Sequence, residues 1–126
     1  MNVLRYEAAH LDGVIALCAA EGWSTYASDP PRTHAVLTAP GVTAVVAVVD
    51  GAVAGFAYLQ SDGHIQAHLS LMAVSTAHRR KGVGRALLEY AALLTGAQRI
   101  DLVTDTAEAF YGSFDHRTFT GFRIYP

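Results

Sequence analysis

The chain is poor in the features that most simply assign a function. It holds one cysteine, Cys18, which excludes an intrachain disulfide and a cysteine-based zinc cluster. Only 16% of its 126 residues are charged and the formal net charge is -2, so it lacks the basic excess of a general nucleic-acid binder. No apolar run approaches the roughly 18 residues that a membrane span needs. The amino-terminal MNVLRYEAAHLDG is charged and has no long apolar core, so it is no signal peptide, and the chain reads as a cytoplasmic domain. Repeats, linkers and low-complexity tracts are missing. The six histidines are scattered; His64 and His68 would share a strand face but lie about 13 Å apart by strand rise, so no metal site is expected. Two phosphate signatures also fail. There is no G-x-x-x-x-G-K-[ST], and Leu87 stands where a dinucleotide fingerprint beginning at Gly82 needs its third glycine.

What is present is a core. Hydrophobic residues make up 52% of the chain, enough for a single domain over residues 1–126. NVLRYE reads as a short strand. Leu11, Val14, Ile15 and Cys18 form the i, i+3, i+4, i+7 stripe of an amphipathic helix, which places Cys18 in the core. SDPPRTHAVLTAPG predicts a second helix, capped by Asp29, with prolines in its first turn and a stop at Pro40-Gly41. Three apolar, β-branched runs follow, Val42–Val49, Ala52–Gln60 and His64–Val74. Asp50-Gly51 and Asp62-Gly63 separate them as two-residue hairpin turns. The period then changes to about 3.6, with Val83, Ala86, Leu87, Tyr90, Ala91 and Leu94 on one face and Gly96 as the stop. RIDLVTD predicts a strand parallel to the one before the helix. DTAEAFYGSF predicts a short helix with Asp105 and Glu108 as a capping box, and FTGFRIYP a closing strand. The fold class is α/β: a mixed sheet, antiparallel first and parallel later, with helices on both faces.

The basic charge is uneven. Arg79, Arg80, Lys81 and Arg85 fall within seven residues, around Gly82 and Gly84 and at the start of the long helix. Helix N-termini carry unpartnered N–H groups and partial positive charge, and glycines allow close backbone approach. The combination is an anion cradle suited to a phosphate or pyrophosphate.

The run LMAVSTAHRRKGVGRALLEYA resembles the acetyl-CoA-binding segment of the GNAT superfamily of N-acetyltransferases, [QR]-x-x-G-x-[GA] after an apolar strand, with Arg79, Gly82 and Gly84 in the motif positions. The order of elements resembles that family over nearly the whole chain. Thr76 replaces a proline common there, and Thr104 an asparagine that contacts the cofactor. The resemblance implies a GNAT-like fold with a shortened C-terminal hairpin. It implies that backbone N–H groups from Arg80 to Arg85, Val83 included, hold the pyrophosphate of acetyl-CoA. The backbone of Met72, Ala73 and Val74 would bind the pantetheine arm where the sheet splays.

The implied reaction is direct transfer of an acetyl group from acetyl-CoA to a primary amine of a small molecule or peptide. It requires a neutral amine, a stabilised oxyanion and a protonated leaving thiolate, and no enzyme nucleophile. AEAFYGSF matches the family's A-x-x-FY helix, which makes Tyr111 the implied general acid; a phenol titrating near pH ~10 keeps its proton at neutral pH. His68, six residues before Val74, stands where some members place a general base, and strict alternation puts it on one face with Ser70, Met72 and Val74. Glu21 and His64 are alternative bases. Glu21, Trp23, Tyr26 and Asp29 lie where the family builds its acceptor pocket, and carboxylates there suit a cationic amine. The chain ends without room for the family's seventh strand, so the sheet is trimmed or is completed by a partner chain, a homodimer being one expectation. A non-catalytic acyl-CoA-binding sensor domain of the same fold is the alternative.

Overall fold

A computed structural model describes residues 1–126. Strands β1 (Asn2–Arg5), β2 (Val42–Val49), β3 (Ala52–Ser61), β4 (Gln66–Val74) and β5 (Arg99–Asp101) form one sheet in the order β1-β2-β3-β4-β5. The first four pair antiparallel, and β5 runs parallel to β4. The helices are α1 (Leu11–Ala20), α2 (Ser24–Ala27), α3 (Pro30–Leu37), α4 (Val83–Thr95) and α5 (Glu108–Tyr111). No helix is long and apolar enough to cross a membrane.

Strand alternation explains the two layers. Val45, Ala47, Ala57 and Leu59 face α4 and pack with Val83, Leu87 and Ala91. Their neighbours Val46, Phe56 and Tyr58 face the other way and pack with Val14, Leu17 and Cys18 of α1 and Leu37 of α3. Both sheet faces are covered, so the strands read as continuous apolar runs rather than alternating ones. The thiol of Cys18 is fully buried, and that burial, with Glu21 adding to it, pushes its pKa up to about 11.

Local chemistry sets most of the boundaries. Asp50 (φ 50°) and Gly51 (φ 78°) both take the left-handed conformation that a two-residue hairpin turn demands. Asp29 accepts the backbone N–H of Arg32 at 3.2 Å and caps α3, whose first turn holds the prolines. Gly96 ends α4 at φ 68°.

Four expectations need correction. Asp62-Gly63 is not a two-residue turn: the Asp62 carboxylate accepts from the N–H groups of His64, Ile65 and Gln66, which delays β4 to Gln66. Those donors, Ile65 foremost, hold the carboxyl below its usual range. RIDLVTD contributes only three strand residues. The Asp105–Glu108 capping box does not form; Ala107 takes the N-cap position of α5 and donates its N–H to Thr104 Oγ1 at 3.1 Å. FTGFRIYP is no strand: residues 116–126 form neither helix nor strand, so the hairpin expected to be shortened is absent.

Candidate active site

The site begins where β4 and β5 part. The two strands pair only over Gln66–His68 and Arg99–Asp101. Beyond that, β4 continues to Val74 while the segment after β5 turns away, so Leu69–Val74 have no strand partner on that side. The gap opens into a cleft of about 1110 Å³. One wall holds Met72, Ala73 and Val74, the floor carries Gly82–Arg85, and the far wall holds Thr104 and Tyr111.

The turn that forms the floor is braced from several directions. A single turn of 3-10 helix, Thr76–His78, follows β4, with the Ser75 hydroxyl and His78 Nδ1 2.6 Å apart. Arg79 Nε then donates back to the Val74 carbonyl at 3.0 Å, and its Nη2 meets Glu21 Oε1 at 2.7 Å. Arg80 (φ 62°) and Gly82 (φ 81°) both adopt left-handed backbone, and a Cβ at Gly82 would face open space. Gly84 is needed for a different reason. A Cβ there would lie 3.1 Å from Phe110 of α5, so its smallness lets α5 sit against α4. The N–H groups of Val83, Gly84 and Arg85 begin the helix and have no backbone acceptor.

The four cations divide into two pairs. Arg79 is tied to Val74 and Glu21. Arg85 donates to Ser113 Oγ at 3.1 Å, stacks 3.9 Å over the Phe114 ring and lies 3.6 Å from Glu89. Both brace the turn against its neighbours. Arg80 and Lys81 are exposed and have no partner in the protein, so they are the charges free to meet an anion.

Tyr111 is half-buried in the cleft wall, edge-on to Phe110 at 4.9 Å between ring centres. Its hydroxyl has no hydrogen-bond partner in the protein and is not sealed from solvent. Burial raises its pKa above the usual phenol value. Thr104, on the same wall, accepts the Ala107 N–H at the start of α5 with its hydroxyl oxygen.

The acceptor side differs from expectation at three residues. Glu21 and Trp23 line the cleft, but Glu21 is held in the Arg79 ion pair. Tyr26 does not line it; its hydroxyl lies 2.7 Å from that of Tyr58, a core residue whose pKa burial drives strongly upward. His68 does not line it either. A β-bulge at Ser70 is the cause: Leu59 pairs with Leu69 while Tyr58 pairs with Leu71. Ala67 and Leu69 therefore face α4 before the bulge, and Met72 and Val74 face it afterwards. His68 falls on the opposite face, exposed and paired with Gln60, whose Nε2 donates to Ser70 Oγ at 2.9 Å. No pattern in the sequence marks the bulge, because LSLM is apolar enough for either register.

The sequence model of the acetyltransferase (GNAT) domain matches residues 40–117, more than half of the chain. Solved structures share the fold. One from Agrobacterium tumefaciens str. C58 aligns over 100% of both chains with a TM-score of 0.82 and 23% identity. An aminoglycoside acetyltransferase from an uncultured soil metagenomic sample covers 99% of this chain and 97% of its own, with a TM-score of 0.76 and 21% identity. A ribosomal-protein-alanine N-acetyltransferase from Brucella melitensis biovar Abortus 2308 covers 98% and 97%, with a TM-score of 0.77 and 17% identity. No curated protein sequence matches.

Proposed function

The chain belongs to the GNAT acetyltransferase family, and from that premise we propose that it moves an acetyl group from acetyl-CoA directly to a primary amine of a small molecule or peptide. The observation that carries the reading is the pairing of an open anion cradle with an unbonded tyrosine in one cleft. The cradle suits the cofactor. The N–H groups of Val83, Gly84 and Arg85 are free, the position above Gly82 is open, and Arg80 and Lys81 have no other partner. The unpaired edge of β4 at Met72, Ala73 and Val74 fits an extended amide-bearing arm laid alongside it as an added strand.

Bound there, acetyl-CoA supplies an activated acetyl thioester. A neutral amine forms the new C–N bond as the C–S bond breaks, and the thiolate takes the proton that Tyr111 holds at its hydroxyl. Burial favours the neutral phenol, so Tyr111 keeps its proton at neutral pH and somewhat beyond the ordinary phenol range. The amine's surplus proton goes to solvent, and solvent returns one to the Tyr111 phenolate; His68, outside the cleft, takes no part. Trp23, on the acceptor side, supports an amine carried on a flat or hydrophobic body.

The test is thiol release from acetyl-CoA across a panel of amines. The reading expects turnover with at least one amine, a kcat about 10²–10⁴-fold lower for Tyr111→Phe, and little change for His68→Ala, which lies outside the cleft. The alkaline limb of the wild-type rate should lie above the ordinary phenol pKa of 10.0, because burial shifts Tyr111 upward. Coenzyme A binding with no turnover on any amine would favour the sensor domain instead.

A further inference from the structure

Ser70 is the one polar side chain on the unpaired stretch of β4. All six residues from Leu69 to Val74 line the cleft, and the other five are apolar. Ser70 sits at the bulge, between the Leu59–Leu69 and Tyr58–Leu71 pairs. Leu69 and Met72 pack on the α4 side of the sheet, and Leu71 and Ala73 on the side of α1 and α3.

The bulge decides where the Ser70 hydroxyl points. In β3, Tyr58 faces α1 and α3 while Leu59 faces α4, so Gln60 returns to the Tyr58 side. Gln60 Nε2 donates to Ser70 Oγ at 2.9 Å, which holds that hydroxyl on the same side. Leu71 follows it there, so the bulge presents a polar and an apolar residue in succession to one face. Trp23 packs against the same cluster as Leu71 and lines the cleft. Leu71, Ala73 and Trp23 thus make an apolar acceptor wall with one fixed hydroxyl in it. The Gln60 amide takes one lone pair of that hydroxyl; a second lone pair and the O–H remain.

We propose that Ser70 orients the acceptor amine: its free lone pair accepts an N–H of the neutral nitrogen and leaves the nitrogen's own lone pair to attack. The inference rests on acetyl transfer as the function of this cleft, and it names the residue that holds the nucleophile. Position agrees. β4 runs from Ser70 through Met72 to Val74 and ends at the turn that forms the cradle, so Ser70 lies at the end of the strand away from the phosphates. Access agrees, since Ser70 is only half-buried. Chemistry agrees as well. An acceptor for N–H aligns a neutral amine without masking its lone pair, and Glu21, the carboxylate on this side, is already held by Arg79 at 2.7 Å. Gln60 is then a positioning residue, acting on the amine only through the Ser70 hydroxyl.

Steady-state kinetics of Ser70→Ala, with an amine that the wild type acetylates, reads the outcome. The expected kcat/KM for the amine is about three- to tenfold lower, the loss of one hydrogen bond. Calorimetry should show unchanged acetyl-CoA affinity, which also reports that the variant is folded. Gln60→Leu should lower the same parameter by less and add nothing in the Ser70→Ala background. Hydrolysis of acetyl-CoA without amine should stay at the wild-type rate. An active wild type with an equally active Ser70→Ala overturns the proposal. So does a variant whose hydrolysis falls in the same proportion, since the hydroxyl would then serve the thioester carbonyl. A wild type that acetylates no amine overturns the functional reading itself, and the inference with it.

Discussion

The turn at residues 79–85 and the segment at 116–126 are both exposed, irregular and basic in part, yet one is braced at many points and the other at almost none. The turn is fastened by Arg79 to β4 and to the end of α1, by Arg85 to the residues after α5, and by Gly84 to Phe110. The C-terminal segment crosses Val103 closely, contributes Gly121, Phe122 and Arg123 to the lining of the cleft, and stacks Arg117 over Phe119 at 4.8 Å, but makes no ladder. The difference teaches what each needs. A phosphate cradle is built from local backbone conformation and can be complete within one chain. A strand is only half of a structure until another strand pairs with it.

That contrast can be attacked from the turn inward. Gly82→Val should have the largest effect, because a β-branched residue at φ 81° is strained by about 1–3 kcal/mol; the loss should appear in urea unfolding and in weaker acetyl-CoA binding by calorimetry. Arg79→Ala removes a partly exposed ion pair and should cost about 0.2–1 kcal/mol, with a double-mutant cycle against Glu21→Gln separating the pair from the bond to Val74. The smallest change belongs to the segment. Phe122→Ser, at a side chain that is 84% exposed, should alter unfolding stability by no more than about 0.5 kcal/mol. A large loss there would mean that the segment is packed in the single chain and that the comparison fails.

The same contrast explains how much was legible in the sequence. The stripe on α4, the Asp29 cap, the Asp50-Gly51 turn and the glycines of the cradle follow from short-range chemistry, and each is found where its residues indicate. The family resemblance rested on Arg79, Gly82 and Gly84 after an apolar strand, on AEAFYGSF and on the order of elements, and the domain match over residues 40–117 agrees with it. What escaped depends on partners far away in sequence. The bulge at Ser70 is a property of the β3–β4 pairing, and it moved His68 to the opposite face from Met72. Tyr26 looked free for an acceptor because nothing nearby marks Tyr58 as the holder of its hydroxyl. FTGFRIYP has strand composition and lacks a strand's neighbour. Arg79 and Arg85 looked like phosphate ligands and are engaged in bracing, which only their partners Glu21 and Ser113 disclose.

The central claim is that the cleft between β4 and β5 holds acetyl-CoA, with its pyrophosphate at the start of α4. Thermal melting of the full chain with acetyl-CoA, coenzyme A and ATP in parallel tests it most directly. At about 100 times the dissociation constant a ligand stabilises by roughly 2.7 kcal/mol, which moves the midpoint of a domain of this size by several degrees. The account predicts that rise with acetyl-CoA and coenzyme A and none with ATP, which has the phosphates but no arm to lie along β4. Unchanged melting with both forms of coenzyme A would contradict it and leave the basic turn as surface alone.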